Sequence, residues 1–328
     1  MRVLIVTNMY PDAMRPYNGI FVAEQMAAIK RYHPDVNFDV YYIEGENKGK
    51  TEYLKSIFHI NRKIRHGCYD LVHIHFGLSG LYMLAPFRKH LPTIVTFHGS
   101  DIQPAGGNGR LTIGISRRVA RLADTCITLN PNMDLMARQY NANTFIVPCA
   151  VNTSVFKPLA KVNSGKGEKK QGEKKIIVFP CNHNMAVKNY PLFCQVLGKL
   201  RTTYDIDCEE RELNGLSRAQ VAELFNGADL LLMTSHSEGS PQAVKEAMAC
   251  DLPIVSTPVG DVADLLYNVK DCYVARSHDA DELAELAARA LAHNSTKGIV
   301  GSNKIIQMQL DERSVADRIY KIYEQSKH

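Results

Sequence analysis

The chain has no Cys-x-x-Cys pair, no Gly-x-Gly-x-x-Gly after a predicted strand, no apolar run long enough to cross a bilayer, and little excess charge. Each absence removes a class. Eight cysteines without close pairing argue against a zinc site or a disulfide framework, and Cys126 and Cys181, on or beside buried-strand patterns, read as reduced thiols. Without the glycine fingerprint a nicotinamide dehydrogenase is not expected. The first residues already read as a strand, so no secretory leader is expected, and no transmembrane helix either. A formal charge of +5 is too small to argue for nucleic acid by itself. The expectation is a soluble cytoplasmic enzyme.

What is present is an alternation of apolar strands and helical patterns over 328 residues, enough for two domains with separate cores. Strands are predicted at 2–8, 38–44, 71–75, 93–98, 125–129 and 144–148, then at 175–180, 229–235, 253–257 and 272–275. Helices are predicted at 189–201, 217–227, 241–250 and 279–293, with a last one at 311–326 that sets Val315, Ile319 and Ile322 on one face. Leu159 to Lys175 is rich in Lys, Gly and Gln without apolar periodicity and reads as a solvated loop. The fold class is α/β with parallel sheets covered on both faces.

The most informative segment is Ser235-His-Ser-Glu238-Gly239-Ser240-Pro241-Gln242-Ala-Val-Lys-Glu246, which puts two carboxylates eight positions apart around a helix start and lies between two predicted strands. Pro241 suits the first helical turn and Ser240 an N-cap. Such a helix start binds phosphate through its unpaired amides and its partial positive charge. Glu246 then lies roughly 7–8 Å along the axis, a suitable reach from a diphosphate to ribose hydroxyls, while Glu238 can point to the sugar side. One ligand with two ends accounts for both acids. Read alone, the same spacing is more often a crossover helix with glutamates in water; Gly239-Ser240-Pro241 and the flanking strands favour the site.

This segment resembles the Glu-x7-Glu signature of the retaining glycosyltransferases of family 4. Met1–Pro11 with Asn18-Gly19-Ile-Phe, Asp70–His75, Thr96-Phe-His98-Gly-Ser-Asp101 and Val147–Pro158 follow in the family's order, so the resemblance covers nearly the whole chain. It is nearest in look to bacterial enzymes of surface polysaccharides. It implies the GT-B fold, two Rossmann-like doubly wound domains facing a central cleft. The first would be an acceptor-side domain over 1–152 and the second a nucleotide-sugar domain over 153–310. The tail, 311–328, would be a helix crossing back to the first domain.

The resemblance also assigns roles. His98, where a buried strand emerges, would lie beside the donor sugar; a lone histidine there is otherwise a structural hydrogen-bonder. His73 reads as structural and His75 as reaching the cleft edge. Lys188 matches the family's diphosphate lysine and Gly19 would add backbone amides; without the resemblance Lys188 is a surface lysine opening a helix. The family's usual arginine just before Lys188 is missing from Asn182-His183-Asn-Met-Ala186, and His183 would supply part of that charge when protonated. The second-domain glycine pair is reduced to Gly260-Asp-Val-Ala-Asp264. His98, Glu238 and Lys188 are thus the catalytic candidates. Gly19, Lys188, Glu238, Gly239, Ser240, Pro241, Gln242 and Glu246 are the donor-binding candidates.

No metal and no cofactor beyond the co-substrate are expected, because no carboxylate or cysteine completes a set with His73-x-His75. The implied reaction moves a sugar, with retention, from a UDP- or GDP-sugar to a saccharide or lipid-linked saccharide in polysaccharide biosynthesis. A GT-B sugar phosphorylase, a nucleotide-sugar epimerase and an inactive sugar-nucleotide-binding subunit are the alternatives. The acceptor surface would include the Gly106–Arg110 loop. Peripheral contact with the inner face of the cytoplasmic membrane is a further expectation, from Arg117, Arg118 and Arg121 interleaved with apolar residues and from the basic run Asn61–His66; a solvated basic helix face reads equally well.

Overall fold

Along β1 (Arg2–Thr7) successive side chains go to opposite sides: Leu4 and Val6 join one apolar cluster, Val3 and Ile5 another. A strand that is apolar on both faces has to be covered on both, the condition met by a parallel sheet with helices above and below. The computed structural model describes residues 1–13, 15, 17–103, 109–159, 174–293 and 295–327, with backbone only at 46 and 47. The described chain divides into two units, Met1–Ala150 with Glu312–His328, and Val151–Asp311.

In the first unit β1 is followed by α1 (Ile20–Tyr32), β2 (Asn37–Tyr42), α2 (Gly45–Lys48), α3 (Thr51–His66) and β3 (Leu71–His75). Then come β4 (Thr93–Thr96), α4 (Arg110–Leu122), β5 (Thr125–Thr128), α5 (Pro131–Arg138) and β6 (Thr144–Ile146). All six strands run parallel in the order β2-β1-β3-β4-β5-β6, so the direction of winding reverses between β1 and β3.

The second unit holds β7 (Lys175–Phe179), α6 (Tyr190–Thr203), β8 (Cys208–Glu212), α7 (Arg218–Gly227), β9 (Leu230–Met233) and α8 (Gln242–Ala249). It continues with β10 (Ile254–Ser256), α9 (Val262–Leu266), β11 (Cys272–Val274), α10 (Ala280–Leu291) and α11 (Gly301–Gln307). Its parallel sheet has the order β11-β10-β9-β7-β8, and here winding reverses between β7 and β9. Leu231 and Met233 face one cluster, Leu230 and Leu232 the other. In open sheets of this kind ligands bind beyond the carboxyl ends of the strands at such a reversal.

The last helix, α12 (Glu312–Ser326), belongs to the first unit. Val315, Ala316, Ile319, Ile322 and Tyr323 pack with Val3 and Ile5, and Asp317 Oδ1 lies 2.8 Å from His33 Nε2.

Every strand and helix expected from the sequence is present within two residues of its expected ends. Strand β8 was not expected. It is an edge strand reading Cys-Glu-Glu-Arg-Glu with only Cys208 buried, so it carries no apolar signal. The short helices α9 and α11 were also missed. Positions 106–108 of the expected acceptor loop, and 160–173 of the Lys/Gly-rich loop, lie outside the described residues. All eight cysteines are free. Among the described residues no helix is long and apolar enough to cross a membrane, and no cluster of three or more His, Cys, Asp or Glu could hold a metal ion.

Candidate functional site

In the second unit the candidates gather at the carboxyl ends of β7, β9 and β10. Lys188 closes a one-turn 3-10 helix, Ala186–Lys188, after β7. That turn is tied to the exit of β9, because Thr234 Oγ1 donates to the Lys188 and Asn189 carbonyls at 3.0 and 3.1 Å and the His236 amide donates to Val187 O at 2.8 Å. The ammonium of Lys188 so held meets Glu238 Oε1 at 2.6 Å, with side chains only 17% and 14% exposed. Sequence reasoning had sent these two residues to different ends of a ligand; the fold makes them a pair.

Helix α8 begins one residue later than expected. Pro241, with φ −67° and ψ 117°, is the N-cap residue itself and provides no side-chain cap, so Ser240 stands before the cap and is not it. Proline needs no partner for a missing N–H, which suits either position. Gln242 is the first helical residue and is half-buried. Gly260, φ +56°, explains the approach of the next loop: a Cβ there would stand 2.5 Å from Gly239 O and 3.1 Å from Glu238 O. Glycine at 260 thus lets the loop after β10 press on the peptide that carries Glu238.

Glu246 is 3% exposed and is met by Arg218 Nη2 at 2.6 Å. Arg218 opens α7 after a full capping box between Ser217 and Gln220, and its guanidinium lies 4.5 Å over the Phe156 ring. Next to Glu246, Lys245 is fully buried. Its charge acts on Asp261, whose carboxyl is pushed up by burial and held down in part by Lys245 and the Ser240 hydroxyl. Arg218 and Lys245 were not singled out from sequence. The signal in the sequence was the apolar surroundings of Lys245 in Ala243–Ala249; the structure buries every residue from Val244 to Ala249, and a lysine inside such a run has to be paired. His183 faces the acids of β8. Its Nε2 lies 2.5 Å from Glu210 and 3.3 Å from Glu212 on β8, and its ring stacks on Tyr190. The residue expected to supplement Lys188 therefore faces the acids of an edge strand that the sequence did not reveal.

In the first unit the candidates lie at the ends of β1, β3 and β4. Gly19 caps α1 in the left-handed region, φ 63° and ψ 24°, and a Cβ there would fall 2.3 Å from Met9 O. The space freed by this glycine is filled by the chain's own Met9–Tyr10 backbone. The ring of Phe21, two residues on, lies 4.8 Å from the His98 ring, with Phe76 4.4 Å away. Asp101 fixes the turn after β4 by accepting from the amides of Gly77, His98 and Gly99 at 2.9, 2.9 and 3.0 Å. Burial still pushes its carboxyl up.

Behind His98 stands a row of imidazoles. His75 Nδ1 lies 3.1 Å from His98 Nε2, and His73 is fixed by Tyr323 Oη and Thr96 Oγ1, each at 2.7 Å. Burial drives His73 well below the usual imidazole range and His75 down to about 3, so both are neutral. His75 Nε2 has no partner among the described residues. A dry lone pair costs less than a dry N–H, which assigns the His75 proton to Nδ1 as donor to His98. His98 then carries its own proton on Nδ1. His73 is structural, as expected; His75 is fully buried and supports His98.

Comparison with known proteins decides the family. Residues 30–155 match the family described as Glycosyltransferase Family 4, and residues 174–293 match Glycosyl transferases group 1. The chain belongs to glycosyltransferase family 4. It is a glycosyltransferase that uses nucleotide-sugar donors. Among relatives of this family-4 chain, the putative teichuronic acid biosynthesis glycosyltransferase TuaC of Bacillus subtilis is 20% identical, over 99% of this chain and 98% of that protein. A D-inositol 3-phosphate glycosyltransferase of Arthrobacter is 22% identical over 76% of this chain and 69% of the other. The solved structure of Anabaena HepE in complex with UDP and glucose superimposes with a TM-score of 0.72 at 14% identity, covering 99% of this chain and all of that one. Sucrose-phosphate synthase from Thermosynechococcus elongatus gives 0.75 at 14% identity over 99% and 98%. These likenesses establish the GT-B fold.

Proposed function

We propose that the chain is a retaining glycosyltransferase that moves a sugar from a UDP-sugar to a saccharide or lipid-linked saccharide acceptor in the building of a bacterial polysaccharide. The observation that carries this reading is the Lys188–Glu238 pair at the winding reversal of the second sheet, in the loop before α8, the helix that also carries Glu246. Lys188 and the first-turn amides of α8 stabilise the leaving diphosphate, and Glu246, held by Arg218, receives the ribose hydroxyls. Glu238 is released toward the sugar as the diphosphate takes over Lys188. His98 offers its Nδ1–H to a sugar hydroxyl, and the first unit receives the acceptor. TuaC, named for teichuronic acid biosynthesis and matched over nearly its whole length, supports a polysaccharide product, and the UDP of HepE supports uridine.

With Lys188 and helix amides balancing the diphosphate, the reaction runs without a metal ion in the cytoplasm, at the inner face of the membrane where the acceptor is lipid-linked. The test is calorimetry against a panel of UDP- and GDP-sugars in excess chelator, followed by product analysis with acceptor. Tight binding of one UDP-sugar and an axial product from an axial donor support the reading. Phosphate-dependent sugar phosphate formation, epimerised donor, or binding without any turnover would each replace it by a phosphorylase, an epimerase or a binding subunit.

A further inference from the structure

Helix α3 buries Ser56, Ile60, Asn61 and Ile64, yet its opposite face is not simply polar. Leu54 and Phe58 are 61% and 64% exposed, one helical turn apart, and Phe87 on the turn after β3 is 40% exposed. The rings of Phe58 and Phe87 stack at 5.6 Å with an interplanar angle of 21°. Arg65 binds the Phe87 carbonyl at 2.5 Å and sets its guanidinium 5.9 Å over the Phe87 ring. Three large apolar side chains therefore stand exposed on one face, where burial would be the ordinary fate of such residues.

Cations surround them. Lys55, Arg62 and Arg65 are exposed on the same helix, and Lys89 is exposed two residues past Phe87. Arg62 and Lys63, with His59 and His66, line an open hollow of about 360 Å³, a volume and charge suited to a phosphate headgroup. The one acid of α3, Glu52, is paired with Lys55 at 2.7 Å. By contrast, two of the α4 arginines expected to make a membrane face are engaged elsewhere: Arg117 and Arg121 lie 5.6 and 4.9 Å over the Tyr140 ring.

The geometry points to the face of α3 with the turn at Phe87 as a docking surface for an anionic phospholipid bilayer. Leu54, Phe58 and Phe87 enter the boundary of the acyl chains while the lysines and arginines reach the headgroups along their own stems. Charge complementarity selects an anionic membrane. This inference rests on the membrane contact proposed above and names its surface.

Cosedimentation of the whole protein with vesicles tests it, with no donor or acceptor present. Phosphatidylcholine vesicles containing roughly one-third phosphatidylglycerol should bind the wild type at low salt, binding should fall as salt rises to about 0.5 M, and pure phosphatidylcholine should bind poorly. Phe58→Ser/Phe87→Ser and, separately, Arg62→Glu/Lys63→Glu should each weaken anionic-vesicle binding about tenfold or more. Donor affinity by calorimetry should be unchanged in both, which shows that the variants are folded and separates this test from that of the donor site. Wild-type binding retained by Phe58→Ser/Phe87→Ser, equal binding to neutral vesicles, or binding to soluble polyglutamate with none to anionic vesicles would overturn the inference, the last by marking a docking surface for an acidic protein.

Discussion

Lys188 Nζ stands 2.6 Å from Glu238 Oε1, so the cation and the acid at the winding reversal of the second sheet compensate each other across 50 positions of sequence. A diphosphate arriving at Lys188 has to compete with that carboxylate. Charge-assisted bonds are roughly twice as strong as neutral ones, so Lys188→Ala should weaken nucleoside diphosphate binding by about 1.5–3 kcal/mol, roughly 10- to 100-fold, and lower turnover further. Glu238→Gln should act in the opposite direction on product binding, which is kept or strengthened, while turnover falls. Calorimetry of UDP with both variants checks this, and equal affinities for wild type and Lys188→Ala would remove Lys188 from the site.

Much of this was legible in the chain because strands such as β9 are uniformly apolar, and helix α8 starts at a Gly-Ser-Pro step, a common helix-start pattern. The reading failed where the deciding partner is remote in sequence. Strand β8 is held by backbone pairing to β7 and carries three glutamates, so no periodicity marks it. Arg218 reaches Glu246 across 28 positions, and nothing local to either announces the pair. Ser240 and Pro241 were each placed one step out because both proline and serine are at home on either side of a helix start.

Arg218 supplies a second prediction. Glu246 is almost wholly buried, so deleting its guanidinium partner leaves a carboxylate with too little compensation. Arg218→Ala should cost about 2–4 kcal/mol of stability in the second unit and raise the donor KM more than it lowers kcat, because the ribose acceptor is lost. Arg218→Lys should recover only part, since one ammonium cannot reproduce the guanidinium fork or its seat over Phe156. Chemical denaturation alongside steady-state kinetics reads both. An unchanged donor KM in Arg218→Ala would show that Glu246 does not hold the donor.

Two glycines of the second unit make a controlled pair. Gly260 and Gly215 both have positive φ, +56° and +73°, but a Cβ at 260 would strike Gly239 O at 2.5 Å whereas at 215 it meets nothing within 4 Å. Gly215→Ala should cost only the left-handed backbone, about 1–2 kcal/mol, with kinetics unchanged. Gly260→Ala should cost more than that and lower turnover, because the Glu238–Gly239 peptide has to move. Equal stability and kinetics for the two variants would remove the Gly260 contact from the account of how Glu238 is placed.

The imidazole row of the first unit sets a pH limit with a definite sign. His73 and His75 are buried and neutral, with folded values below the ordinary 6.5 and, for His75, about 3. Below about pH 6.5 the unfolded chain therefore binds protons that the folded chain refuses, and stability falls as pH falls, by up to about 1.4 kcal/mol per pH unit for each histidine. Asp101 works the other way: its raised carboxyl value lets the folded state take a proton first, which adds stability as pH falls toward 4. A bare pH scan mixes the two, so the informative quantity is the difference between wild type and His75→Gln. Glutamine keeps an amide donor for His98 Nε2 and cannot be protonated, so between pH 6.5 and 4.5 the variant should lose stability more slowly than wild type by up to about 1.4 kcal/mol per pH unit. Denaturant midpoints at several pH values measure it. Parallel curves for the two proteins would mean that His75 can be protonated in the folded state, and with that the assignment of its Nδ1–H to His98 would fall.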